Sequence, residues 1–311
     1  MMSKPIRKIA VIGTGAIGAS WATLFLSRGL EVVATDIAPG AESRLRQFID
    51  QAWPALESMG LGADADKGKL SFTQDMHKAI EGSDLVQENG PERIDFKLSL
   101  YETLDANLPP EVPIVSSSSG LMMSDIQVGC KRYPERCVIG HPFNPPHLIP
   151  LVEIVGGKHT SEQTIQQVTE FYRALGKRTV RLHKEVPGHV ANRLASALFR
   201  EIVYLVSEGV ISVEDADTAV CWGPGLRWGV MGPSLLYHLG GGDGGIEHFF
   251  DQFTGPMQAW WKVLGNPVIT PEIRQKMIDG VKAEADGRSL TQLATQRDTA
   301  LIALLKARFH E

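Results

Sequence analysis

Gly13-Thr14-Gly15-Ala16-Ile17-Gly18 constrains the fold more than any other segment of this chain. GxGxxG alone is a weak signal, but here its context is specific. It follows the β-rich run Ile9–Ile12 and opens a segment of helical spacing, Ala16 to Arg28. Within it Ile17, Trp21, Leu24 and Phe25 fall on or near one face. Gly29 is a natural C-terminal stop. Glu31–Asp36 then reads as a second strand, ending in an acid 18 residues after Gly18. Strand, glycine turn, helix and acid-tipped strand form a dinucleotide-binding unit. Gly13 permits the tight turn, Gly15 lets the backbone approach a pyrophosphate, and Gly18 lets helix and strand pack closely. Free N–H groups at the helix start, at Ala16 and Ile17, then meet the phosphates. Asp36 is expected to accept hydrogen bonds from the adenosine ribose and to repel a 2′-phosphate, which favours NAD over NADP. The alternative is a structural turn that binds nothing.

The alternation continues. Asp84–Glu88, Val112–Ser116, Cys137–His141, Leu151–Val155 and Thr179–Leu182 read as further strands, with helical patterns between several of them. This predicts an α/β domain: a Rossmann-type, doubly wound, mostly parallel sheet covered on both faces. The pattern changes at Val186-Pro187-Gly188. Beyond it Val190, Leu194, Leu198, Ile202 and Leu205 recur at helix spacing, with Ala191, Ala195, Phe199 and Val203 as an adjacent stripe. Ser212-Val213-Glu214-Asp215 resembles another helix start, with serine as cap and acids in the first turn. Two domains are expected, 1–187 binding the cofactor and an all-α domain over 188–311. So broad an apolar face suits a buried helix or a subunit interface, and a homodimer is expected. Gly240–Gly245 reads as a hinge or loop and lacks the lysine and hydroxyl of a P-loop.

Composition narrows the partners. Thirty-six acidic against 31 basic residues give a net charge of −5, which argues against nucleic acid. No apolar run approaches the roughly 20 residues of a membrane span. The short basic N-terminus lacks the apolar stretch of a signal peptide. Cys130, Cys137 and Cys221 are odd in number and form no CxxC, as expected in a reducing cytoplasm.

A catalytic group suggests itself at the strand ends, where open α/β sheets bind ligands. Ser116 to Ser119 follow one strand. His141 ends another and is followed by the proline-stiffened Pro142-Phe143-Asn144-Pro145-Pro146. Glu153 lies in the next, among apolar neighbours, and a carboxylate there needs a partner. Asn192 begins the apolar helix after the domain junction. In one arrangement Glu153 holds one nitrogen of His141, while the other removes a proton from a substrate hydroxyl. Ser119 and Asn192 then bond the oxygen where alkoxide character develops. Taken singly, each residue has a structural alternative. No GxSxG elbow supports a hydrolase, and His141 and His147 lack further ligands at metal spacing, so no metal is expected.

These features resemble the 3-hydroxyacyl-CoA dehydrogenase family. The likeness spans nearly the whole chain: the GxGxxG start, the serine turn, His141-Pro142-Phe143-Asn144-Pro145, Leu151-Val152-Glu153, and Val186-Pro187-Gly188 followed by Asn192-Arg193-Leu194. The resemblance implies that Ser119, His141, Glu153 and Asn192 are catalytic and that the helical domain dimerises. It also implies that Gln87 to Glu92 and Lys97 touch the coenzyme. Ser117-Ser118 stand where acyl-CoA members usually carry Asn-Thr, and His189 where the family is usually apolar. Ala38 to Glu42, Trp53 to Glu57, Lys184 to Gly188, Gly225 to Trp228 and His248 to Phe250 look most like the carnitine 3-dehydrogenase branch. The L-gulonate 3-dehydrogenase and λ-crystallin branch comes next, and through it a non-enzymatic structural role. An intact catalytic set speaks against the latter. The branch likeness implies a small 3-hydroxy acid bearing a trimethylammonium group, a cation that aromatic faces bind well. Phe143 and Asn144, and in the helical domain Trp228, Phe249 and Phe253, are the expected substrate contacts. Arg227 is either a partner for a substrate carboxylate or a surface arginine.

Overall fold

Among the described residues eight strands join in one sheet, and their order explains where its chemistry collects. The computed structural model of the chain describes residues 5–309. The strands are β1 (Lys8–Ile12), β2 (Glu31–Thr35), β3 (Leu70–Thr73), β4 (Leu85–Glu88), β5 (Ile114–Ser116), β6 (Cys137–Pro142), β7 (Leu151–Gly156) and β8 (Arg178–Leu182). They lie in the order β3-β2-β1-β4-β5-β6-β7-β8. Every neighbouring pair is parallel except β6 with β7. The carboxyl ends of β1, β4, β5 and β6 therefore share one edge. That edge carries the glycine turn, Asn89, the serines and His141. The chain departs left from β1 to β2 and β3 and right to β4 and β5, which opens a crevice at this edge.

Residue alternation gives each face its core. Ile9 and Val11 pack with Trp21, Phe25 and Tyr172 on one side, and Ala10 and Ile12 with Tyr101 and Leu104 on the other. The covering helices are α1 (Ala16–Ser27), α2 (Ala41–Met59), α3 (Met76–Ile80), α4 (Ile94–Asn107), α5 (Met123–Ile126) and α6 (Glu162–Ala174). The expected strand Val112–Ser116 starts only at Ile114, because Pro113 has no N–H for a ladder. β3 was not anticipated. It is a four-residue edge strand with only Leu70 buried, too short and too polar to stand out. Lys177 holds the loop after β6: its Nζ donates to the carbonyls of Pro146 and Ile149 and lies 5.1 Å from the Trp21 ring.

The chain divides into two compact units, Met1–Arg193 and Leu194–Glu311. The first extends a few residues past Gly188, because the first turn of α7 (Ala191–Ser207) is hydrogen-bonded to β7. The second is all-helical and continues with α8 (Val213–Trp222), α9 (Pro224–Trp228), α10 (Pro233–Gly240), α11 (Gly245–Trp261), α12 (Pro271–Ala285) and α13 (Leu290–Phe309). Ser212 caps α8, its hydroxyl accepting from the Asp215 N–H at 3.0 Å. The glycine run, expected to be a hinge or loop, contains a tight 3-10 turn, Gly242–Gly244, between two packed helices. Of the expected apolar face of α7, only Val203 is buried, with Val206 beside it, while Leu194 and Phe199 are exposed. No described helix is long and apolar enough to cross a membrane.

Candidate active site

The antiparallel register of β6 and β7 sets His141 directly opposite Glu153. Directly opposed residues project to the same face, so the pair meets by construction. His141 Nδ1 lies 2.9 Å from Glu153 Oε2, and both side chains are buried. A carboxylate only accepts, so Nδ1 carries the proton and Nε2 is left to serve as a base. The second Glu153 oxygen accepts from the backbone N–H groups of Val190 at 2.9 Å and Ala191 at 3.0 Å, at the start of α7. Burial pushes the Glu153 carboxyl up, but the hydrogen bonds from His141, Ala191 and Val190 outweigh it, and its pKa lies below the usual value. Glu153 is therefore an anion held in a fixed orientation.

A cleft of about 420 Å³ brings most of the expected group together. Ser119, His141, Phe143, Asn144 and Asn192 line it, with Glu92 and Ile17. Glu153 stands behind His141, buried. Asn192 arrives in the first turn of α7, which Glu153 itself anchors.

Glu92 acts on this wall in a way the sequence did not suggest. Its Oε1 accepts from the Ser118 hydroxyl at 2.6 Å and from the N–H groups of Ser119, Gly120 and Leu121 at 3.1, 2.6 and 3.0 Å. It thus ties down the turn that presents Ser119. Burial raises its pKa, but these bonds and the Lys97 charge bring it below the ordinary value. Lys97 itself does not line this cleft. It is 1% exposed, with Nζ 2.9 and 2.8 Å from the two oxygens of Glu88, itself fully buried. The reason is electrostatic: an acid buried at the end of β4 needs a cation, and Lys97, one turn into α4, is in reach.

A second cleft, about 590 Å³, shares Asn89 and Gly90 with the first and runs along Gly13, Gly15, Asp36 and Ile37. The glycine turn is shaped for a dinucleotide. Gly13 has φ +80°, and a Cβ on Gly18 would lie 1.8 Å from the Gly13 carbonyl oxygen. A Cβ on Gly15 would meet nothing within 4 Å, so the approach to the start of α1 is open. That start has no side-chain cap, and Gly15 and Ala16 are exposed with Ile17 partly so. Its N–H groups are free for phosphate oxygens. Asp36 sits at the tip of β2. It accepts from the Thr14 N–H at 2.8 Å, the Thr14 hydroxyl at 3.0 Å and the Ala38 N–H at 2.9 Å. Burial alone would raise its pKa. These bonds and the Arg44 charge bring it below the ordinary value.

These three carboxylates carry a stability prediction. A group whose folded pKa is depressed contributes stability above its unfolded pKa and loses it as pH falls through the folded value. The urea midpoint is therefore expected to hold at neutral pH and to drop progressively below about pH 4. Urea titrations at neutral and acid pH check this. A midpoint that does not fall would mean the bonds to Glu153, Glu92 and Asp36 add nothing to folding.

Three of the aromatic residues expected at the substrate, Trp228, Phe249 and Phe253, belong to the helical unit. Phe249 is buried there, its ring 4.7 Å from Tyr237 and 5.0 Å from Phe253, stacked on both. Its expected place at the substrate gives way to a packing role, because both neighbours lie flat against it. Trp228 and Phe253 are about two-fifths exposed, at 40% and 37%.

His189 is the feature whose position was least foreseeable. It is 2% exposed, and its backbone is left-handed, with φ +49°. Its ring centroid lies 5.0 Å from that of His141, and its Nε2 3.0 Å from the Ser118 carbonyl oxygen.

The known proteins it resembles agree with this architecture. The family model described as 3-hydroxyacyl-CoA dehydrogenase, NAD binding domain, matches residues 8–186, and the C-terminal domain of the same family matches 188–283. An L-carnitine dehydrogenase of Nocardiopsis dassonvillei is 44% identical over 97% of this chain and 92% of its own length. One from a Pseudomonas species is also 44% identical, over 97% of this chain and 94% of its own. A solved 5-formyl-3-hydroxy-2-methylpyridine 4-carboxylic acid 5-dehydrogenase, described as an NAD+ dependent dismutase, superposes with a TM-score of 0.84. It is 33% identical, covering 97% of this chain and 98% of that one. With an NAD-binding domain and its C-terminal partner matched in order over most of its length, the chain belongs to the 3-hydroxyacyl-CoA dehydrogenase family.

Proposed function

We propose that this protein is an NAD-dependent dehydrogenase that oxidises the 3-hydroxyl of L-carnitine to the 3-keto acid. The observation that carries the reading is the His141–Glu153 pair, 2.9 Å apart, beside a cleft that Ser119 and Asn192 also line. The likeness to L-carnitine dehydrogenases over 97% of the chain supports the choice of substrate.

NAD, when bound, would supply the hydride acceptor for this oxidation. The residues of this chain do the rest. His141 Nε2 removes the hydroxyl proton. Glu153 fixes the tautomer and stabilises the imidazolium that results. Ser119 and Asn192 donate hydrogen bonds to the substrate oxygen as negative charge grows on it. Gly13, Gly15, Ala16, Ile17 and Gly18 would hold the pyrophosphate, and Asp36 the ribose. Its anionic carboxylate disfavours a 2′-phosphate. Phe143 and Asn144 line the substrate side, and the partly exposed faces of Trp228 and Phe253 are the aromatic surface we assign to the trimethylammonium group.

Offering L-carnitine, L-gulonate and a 3-hydroxyacyl-CoA separately, and following NADH absorbance, tests the reading. Growth with L-carnitine above the other two is expected. Growth only with one of the others would move the substrate assignment to that branch.

We also propose a homodimer formed by the region 188–311. Leu194, Phe199, Trp222, Trp260 and Trp261 are exposed, and a C2 dimer is the commonest way to cover such side chains. Light scattering is expected to give twice the 34.0 kDa chain mass. A stable monomer at micromolar concentration would remove this part of the reading. A reducing cytoplasm suits the three cysteines, which are free thiols, with Cys130 Sγ and Cys137 Sγ hydrogen-bonded at 3.3 Å.

A further inference from the structure

The proposed mechanism makes no use of His189, yet the chain keeps it at a cost. A non-glycine residue in the left-handed region is sterically disfavoured. Burial of an imidazole with an unsatisfied nitrogen is disfavoured too, and His189 Nδ1 is buried with no hydrogen-bond partner among the described residues. Something about this side chain offsets both.

Its contacts suggest what. A carbonyl only accepts, so the 3.0 Å contact to the Ser118 oxygen requires the proton on His189 Nε2. Burial and the neighbouring His141 keep the ring from charging, although the Ser118 bond and the Glu153 and Glu92 charges oppose them, and its pKa lies below the usual histidine value. The neutral Nε2–H form leaves Nδ1 bare, as the missing partner there requires. Ser118 is followed directly by Ser119. His189 is followed directly by Val190 and Ala191, whose N–H groups hold Glu153. The ring meanwhile packs against His141.

We propose that His189 is a positioning residue, a clamp that ties the serine turn to the segment gripping Glu153 and so fixes Ser119 and His141 relative to each other. This rests on the catalytic roles proposed above for those two residues. Without the clamp the turn keeps its anchor on Glu92, but it loses its link to the base. A misplacement of the order of 1 Å in such a pair costs up to about a hundredfold in rate.

Two substitutions separate the parts of the argument. His189→Phe keeps a ring against His141 and removes the donor. His189→Gln keeps a donor able to reach the Ser118 carbonyl and removes the ring. Kinetics use whichever panel substrate the wild-type protein oxidises best. His189→Phe is expected to lower kcat by about tenfold to a hundredfold, with KM for NAD unchanged. His189→Gln is expected to recover most of the loss. Phe at wild-type kcat, or Phe and Gln equally impaired, would overturn the proposal. A merely structural role would lower NAD affinity and turnover together. A second readout needs no substrate. In 15N-histidine spectra at neutral pH, the signals lost in His189→Gln are expected to be those of a neutral Nε2–H imidazole. The Nδ1–H tautomer or an imidazolium would overturn the clamp even if the substrate assignment stood. If no panel substrate were oxidised, the function proposed above would fail, and the tautomer would still decide this inference.

Discussion

Replacing His141 with alanine is expected to remove most turnover, on the order of 10²–10⁴-fold in kcat, while NAD affinity stays near wild type. The two effects separate because the two clefts, which share Asn89 and Gly90, are otherwise lined by different residues. His141 lines the cleft with Ser119 and Asn192, whereas the glycine turn and Asp36 line the other. Removing the imidazole takes away the proton acceptor and leaves the nucleotide turn untouched. Stability should fall only moderately, because Glu153 keeps its two backbone donors at Val190 and Ala191. Single-turnover kinetics and NAD titration by calorimetry check the pair of outcomes. If NAD binding fell in step with turnover, the histidine would be holding the fold rather than taking the proton.

How much of this was legible in the sequence depends on whether a residue's partner is local. The glycine turn and its acid lie within one βαβ unit, and the short-range pattern specifies them fully. Ser119 and His141 were legible because parallel strands place their carboxyl ends on one edge. The Glu153 partner followed from chemistry rather than geometry: a carboxylate among Val152, Ile154 and Val155 requires a donor. What no pattern states is that β7 runs antiparallel to β6, and that reversal is what puts Glu153 opposite His141. The partner of Lys97 was not legible for a related reason: the buried Glu88 that holds it is nine positions away on a strand, and the side to which Glu88 points is set by the sheet. Phe249 was one of many aromatic residues after position 220, and only helix packing separates a core ring from an exposed one. His189 stood out only as an unusual residue after Pro-Gly. Its left-handed backbone and its reach to Ser118 belong to the folded chain alone.

Glu153→Gln is expected to be nearly as damaging to turnover as removing His141, and the reason is a tautomer. The wild-type carboxylate accepts from two sides: backbone N–H groups on Oε1 and the imidazole Nδ1–H on Oε2. A glutamine has one oxygen and one NH₂ to offer. Two backbone donors outbid one side chain for the oxygen, because an NH₂ facing the Val190 and Ala191 N–H groups would leave three donors in conflict. The NH₂ therefore faces His141, and Nδ1 must accept instead of donate. That moves the imidazole proton to Nε2, the nitrogen that has to take the substrate's proton. A neutral histidine with Nε2 protonated is no base at that position, and the loss resembles the roughly 10⁴-fold seen when an analogous carboxylate becomes an amide. Raising the pH should not restore the rate, since the defect is the wrong tautomer and not an unwanted charge. Melting temperature should change little, because every buried backbone donor keeps its acceptor. Glu153→Ala makes the contrast: it frees the ring to choose either tautomer but strands the Val190 and Ala191 donors, so it should retain more rate at the cost of more stability. The two variants measured together, kcat against pH and thermal melting for each, decide the matter. A glutamine variant that kept more turnover than the alanine one would show that orientation of the ring, rather than its proton, is what Glu153 provides.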